Sequence, residues 1–159
     1  MERFALATGV LAAACSLSMG GAVTTLTFDT EDDFLTPLVN GQAISSPTSF
    51  GNLVNINAFG INNLGAASFD TTIGGPNVGS QDPDLLVGLG NVLILQSPDA
   101  PTQTSPGIFD SPNDALHGGT FVFDFINPVE MRSVRLLDVD GNNEILVTMV
   151  DIEGRVRLY

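Results

Sequence analysis

Turn-forming residues interrupt this chain so often that few stretches have room for an amphipathic helix. Seventeen Gly and nine Pro, with many Asn, break it every few residues. Short apolar runs recur between the breaks, the pattern of an all-β sandwich or barrel. Residues 23–29, 52–59 and 66–70 are the first such runs, and Asn40-Gly41 is a hairpin-type turn dipeptide. Residues 91–96 hold a continuous apolar run that reads as a strand buried on both faces. Phe121, Phe123 and Phe125 then alternate with Val122, Asp124 and Ile126, a period of two that lines three rings on one face. Residues 132–139, 144–150 and 155–159 read as a closing meander. With loops at 71–79 and 97–112 between the earlier runs, the pattern predicts a jelly-roll-like antiparallel β-sandwich of about eight strands.

At 159 residues the chain has room for one domain with a real core. A hydrophobic fraction of 43% excludes a disordered acidic polymer, which lacks the apolar surface to offset chain entropy. The net charge of −13 arises from 18 acids against five basic residues, all of them Arg. Such a surface repels nucleic acid and anionic lipid, which excludes both as partners.

The first segment reads as an export signal. Arg3 supplies a positive start, residues 4–17 are apolar and Ala-rich, and Gly20-Gly21-Ala22 offers a small-x-small cleavage site. The expected division is a signal peptide at 1–22 and a single sandwich domain at 23–159. A buried N-terminal helix is one alternative. A lipoprotein signal is another, because Cys15 follows three alanines, although the customary Leu three residues before it is missing. Cys15 is the only cysteine, so removal of the signal leaves no thiol and no disulfide, which points to a bacterial envelope or extracellular setting. No other stretch approaches the length of a membrane-spanning helix. The last residues, Arg155-Val156-Arg157-Leu158-Tyr159, stop in mid-pattern, so a truncated product is expected.

Acids gather at turns without counter-charge, for no Lys or Arg lies between Arg3 and Arg132. Hard oxygen ligands in loops suit Ca²⁺, which takes six to eight of them. Asp29, Asp82, Asp84, Asp138 and Asp140 are the candidate ligands, with Glu31, Asp70 and Glu144 in reserve. The run from Asp138 to Glu144 alternates oxygen side chains as an EF-hand loop does, but the glycine is misplaced at Gly141 and the twelfth position is Met149. A solvated Asp-Gly turn explains that run as well. Asp29, Glu31 and Asp33 share one face of any continuing strand and repel one another unless a cation or water screens them. No single bunch supplies enough oxygens, so a structural site shared between the two ends of the domain is the arrangement that fits.

Catalysis has little to work with. His117 is the only histidine, it sits in a Gly-rich loop, and no nucleophile elbow accompanies it. Asp82 and Asp84 form a carboxylate pair such as a glycosidase uses, with nothing to indicate a cleft. With no Trp and one Tyr, the chain lacks the flat aromatic platforms on which sugars stack.

Four stretches carry a family resemblance. They are Thr27-Phe28-Asp29-Thr30-Glu31-Asp32-Asp33-Phe34, Gly65-Ala66-Ala67-Ser68-Phe69-Asp70, Asp82-Pro83-Asp84-Leu85-Leu86 with the 90–96 run, and Phe121-Val122-Phe123-Asp124-Phe125 with the 134–141 run. Together they resemble exported bacterial proteins of the PEP-CTERM type, which implies a β-sandwich ectodomain in an envelope or matrix context and no particular activity. Such proteins end in a Pro-Glu-Pro signal, an apolar helix and a basic tail, none of which falls in these residues. The expectation is therefore an exported cell-surface or extracellular-matrix interaction module with a structural calcium ion and no catalysis. Its partners would be extracellular polysaccharide or surface proteins. A calcium-dependent carbohydrate-binding module is the alternative, and a glycoside hydrolase the third reading.

Overall fold

Alternation and turn chemistry produce an all-β chain. The computed structural model describes residues 3–7, 15–19, 22–44, 50, 52–59, 64–137 and 145–159, with side chains from residue 25 onward. Its strands are β1 (Arg3–Ala7), β2 (Cys15–Met19), β3 (Ala22–Leu26), β4 (Ala43–Ile44), β5 (Val54–Phe59), β6 (Ala66–Asp70), β7 (Asn91–Leu95), β8 (Thr120–Phe125), β9 (Glu130–Val134), β10 (Leu146–Val150) and β11 (Val156–Leu158). A single 3₁₀ turn, Pro83–Leu85, is the one helical element among the described residues.

The strands form three antiparallel sheets. One has the order β11-β10-β1-β8-β5, the second β3-β2-β9 and the third β4-β6-β7. The closing meander holds only in part. β10 and β11 pair as a hairpin, but β9 pairs with β2 in a different sheet. Local patterning marks a strand; it does not select a partner more than a hundred residues away. The stretch read as an export signal contributes β1 between β8 and β10, and β2 between β3 and β9.

Burial explains why the third sheet is so apolar. Phe121, Phe123 and Phe125 of β8 are at most 1% exposed, and they share the main core with Leu93 and Leu95 of β7. The other face of the same sheet, through Ala67, Phe69, Val92 and Ile94, packs with Leu85 and Phe109 in a second core. β7 is thus the both-faces-buried strand that its sequence predicts. Loops cover the second core, and buried polar groups hold them. Thr71 Oγ1 donates to the Gly90 carbonyl (2.7 Å) and accepts from the Leu89 amide (2.8 Å). Gln96, fully buried, donates to the Ala100 carbonyl (3.0 Å) and accepts from the Asn113 amide (3.2 Å). A buried amide left unpaired would cost about 1–3 kcal/mol, so these bonds fix the loop paths.

Candidate functional site

The acidic bunches act first as acceptors for backbone N–H groups. Asp29 Oδ1 accepts from the Asn91 amide (2.7 Å), while Asn91 Nδ2 donates to the Leu38 carbonyl (2.9 Å) and the Leu38 amide to the Asp29 carbonyl (2.9 Å). One carboxylate thereby ties the loop after β3 to the start of β7. Asp32 Oδ2 accepts from the Asn52 amide (2.7 Å). Asp33 accepts from the amides of Leu35 and Thr36 (both 2.8 Å) and from the Thr36 hydroxyl (2.6 Å). The Thr36 hydroxyl, followed by the two amides, holds the Asp33 carboxyl below its ordinary value. Asp70 Oδ1 closes a turn on the Thr72 amide (2.8 Å).

The candidate calcium ligands are distributed over the fold. Asp29 lies at the β3–β7 junction, whereas Asp82 occupies the N-cap position of the 3₁₀ turn without bonding to it through its side chain, and its Oδ2 accepts from the Asp114 amide (3.2 Å). Asp84 is exposed in the first turn of that element. Asp138, Asp140 and Glu144 fall outside the described residues. Among the described residues no three Asp, Glu, His or Cys side chains converge, so Asp29, Asp82 and Asp84 do not by themselves form a calcium shell. His117 sits exposed in its loop beside Leu116.

What the acidic pattern conceals is a cleft of about 730 Å³ between β9 and the β10–β11 hairpin. Its floor is continuous with the main core: Phe125 and Val129 are buried members of that core, and Met131, Val134, Val147 and Met149 pack against it partly exposed. Around the floor stand Arg132, Arg155 and Arg157 with Glu130, Asp151 and Glu153, and Tyr159 also lines the cleft. Arg132 pairs with Glu130 at 3.0 Å, and Arg155 with Asp151 at 2.6 Å and Glu153 at 3.0 Å. Three arginines balance three carboxylates here, in a chain whose net charge is −13. The signal available in the sequence was this one: four of the five arginines fall at or after position 132.

The wall of the cleft is built by the β10–β11 turn. Gly154 adopts a positive φ of 78°, the bulge glycine of a three-residue hairpin loop. Asp151 Oδ1 accepts from the amides of Glu153 (2.9 Å) and Arg155 (3.0 Å), and Oδ2 from Arg155 Nε (2.6 Å). The Arg155 side chain, then the Arg155 amide, holds the Asp151 carboxyl below its ordinary 3.8. A depressed folded-state value means that Asp151 supports the turn above the ordinary carboxylate range and loses that support as pH falls through the lower folded value. The Asp151 carboxyl carbon is therefore expected to titrate by NMR below a free-peptide Asp, and Arg155→Gln to raise its midpoint. Equal midpoints in the two proteins would show the ion pair absent in solution.

No helix among the described residues is long and apolar enough to cross a membrane. No protein-family model, curated protein sequence or solved structure matches the chain.

Proposed function

We propose that this chain is an exported, non-catalytic interaction module of the bacterial cell surface or extracellular matrix, and that it binds through the cleft between β9 and the β10–β11 hairpin. The cleft carries the reading. Pockets that hold ligands are commonly about 300–1,000 Å³, largely apolar, and furnished with a few polar groups for orientation. At about 730 Å³, with an apolar floor and an ionic rim, this one has that form. The PEP-CTERM-type resemblance and the signal-like first segment support the compartment. Cleavage after residue 22 would take β1 from between β8 and β10, and β2 from between β3 and β9. The carbohydrate-binding alternative gains little from the site, where Tyr159 is the one exposed ring.

Ser133 lines the cleft from an exposed position, so Ser133→Trp fills the space without disturbing the core. The full chain is expected to bind saturably to polysaccharide or surface-protein fractions of the cells that make it, and Ser133→Trp to weaken that binding at least tenfold. Undiminished binding by the variant would remove the cleft from the proposal.

Calcium enters the proposal as a structural ion only. Asp138 and Asp140 would supply part of its shell; Asp29, Asp82 and Asp84 do not converge on one point, so at most two of them join the same ion, through oxygens that no amide occupies. Calcium at about 100 times its dissociation constant would contribute about 2.7 kcal/mol. The melting midpoint of the full chain is then expected to rise several degrees from EDTA to millimolar Ca²⁺, with no such rise in Mg²⁺; an unchanged midpoint removes the ion. Asp29→Ala separates the two roles of that residue. Loss of its bond to the Asn91 amide costs about 1 kcal/mol even in EDTA. A loss seen only with calcium present would make Asp29 a ligand and not a staple.

A further inference from the structure

Building on the cleft reading, we propose that the occupant is an amphipathic monocarboxylate, an aliphatic chain lying on the floor with its head group on Arg157. The floor consists of Met131, Val134, Val147 and Met149 side chains, partly exposed and continuous with the core. Unbranched, polarisable methionines adapt to flexible aliphatic chains, whereas sugars need flat rings or dense hydrogen-bonding groups.

The rim decides the head group. Arg132 and Arg155 are each held by a neighbouring carboxylate, but among the described residues no carboxylate pairs with Arg157. A guanidinium presents a planar fork that matches a carboxylate in two parallel hydrogen bonds. Outside the cleft lining, 15 acids face two arginines and repel anions, while the lining itself is balanced. A small anion is therefore admitted here and discouraged elsewhere, and a polyanion is rejected by the surrounding field. Together these features select one negative charge on an apolar tail.

The test compares octanoate with octan-1-ol, which share the tail and differ in the head. Both are titrated into the ¹⁵N-labelled full chain and followed by NMR at the amides of β9, β10 and β11. Saturable shifts are expected at Val147 and Met149, with octanoate at least tenfold tighter than the alcohol. Arg157→Gln, at an exposed position on β11, should abolish that tenfold advantage, so that the two probes bind the variant equally. Ser133→Trp should block both ligands. Equal affinities in the wild-type chain would overturn the anionic head group and leave the cleft reading intact. Absence of shifts with both probes, while Ser133→Trp still weakens matrix binding, would overturn the amphiphile and again spare the cleft. Absence of shifts together with matrix binding that Ser133→Trp does not affect would overturn both.

Discussion

Truncation of Phe123 to alanine is expected to lower the unfolding free energy by about 4 kcal/mol, within the roughly 3–5 kcal/mol typical of a buried Phe. Phe123 is 0% exposed and lies in β8, which is hydrogen-bonded on both sides, to β1 and β5. Its ring stands 6.3 Å from that of Phe121 and belongs to the core that joins this sheet to β7. The loss combines the transfer free energy of the ring with the cavity left behind. Strands paired on both sides have little freedom to close over such a cavity. Urea denaturation measures the effect as a fall in the midpoint at constant slope, which keeps the change in stability separate from a change in the denatured state. Val122, next along the strand on the opposite and half-exposed face, is the control: Val122→Ala should cost about 1 kcal/mol. A loss below about 1 kcal/mol at Phe123 as well would mean that the three rings do not pack as one layer.

The same strand shows what a sequence can express. Burial in β8 follows the alternation of Phe121, Phe123 and Phe125 residue for residue, and the four core positions of β7 are all buried as their unbroken apolar run requires. Both features are local, since side-chain period and face are set within five or six residues. Pairing is different. β9 joins β2 and β1 joins β8 and β10, associations that depend on chain ends meeting across the whole fold. The acids were ambiguous for a related reason. An Asp at a turn serves equally as a cation ligand or as an acceptor for an N–H, and the amide that decides the matter arrives from afar: Asn91 is 62 residues from Asp29, and Asn52 is 20 from Asp32. The cleft was legible only as a statistical asymmetry, the crowding of arginines into the last quarter of the chain. Its apolar floor is assembled from β8, β9 and β10, whose periodicities reveal nothing of a gap between them.

Gly41 offers the second large effect, and through backbone geometry instead of side-chain volume. Three segments converge on it. Its amide donates to the Ser68 carbonyl (2.8 Å), its carbonyl accepts from the Phe109 amide (2.8 Å), and the adjoining Gln42 forms a bridge with Ile108. The preceding Asn40 accepts from the Asp70 amide (2.9 Å) and exchanges hydrogen bonds with the buried Asn77 amide (2.8 and 2.7 Å). Gly41 itself sits at φ 78°, and a Cβ built there runs into the backbone carbonyl of Phe109. That carbonyl has no flexible end to move aside, because Phe109 is anchored in the second core. Gly41→Ala is therefore expected to cost about 3 kcal/mol, the left-handed strain and the steric displacement acting together. Gly74 isolates the first of these terms: its φ is 74°, yet nothing lies within 4 Å of its Cβ position. Gly74→Ala should cost only about 1 kcal/mol. The difference between the two variants in urea denaturation then measures the close approach at Phe109. Equal losses would mean that the Phe109 backbone yields, and that the second core is held by its side chains alone and not by the Gly41 junction.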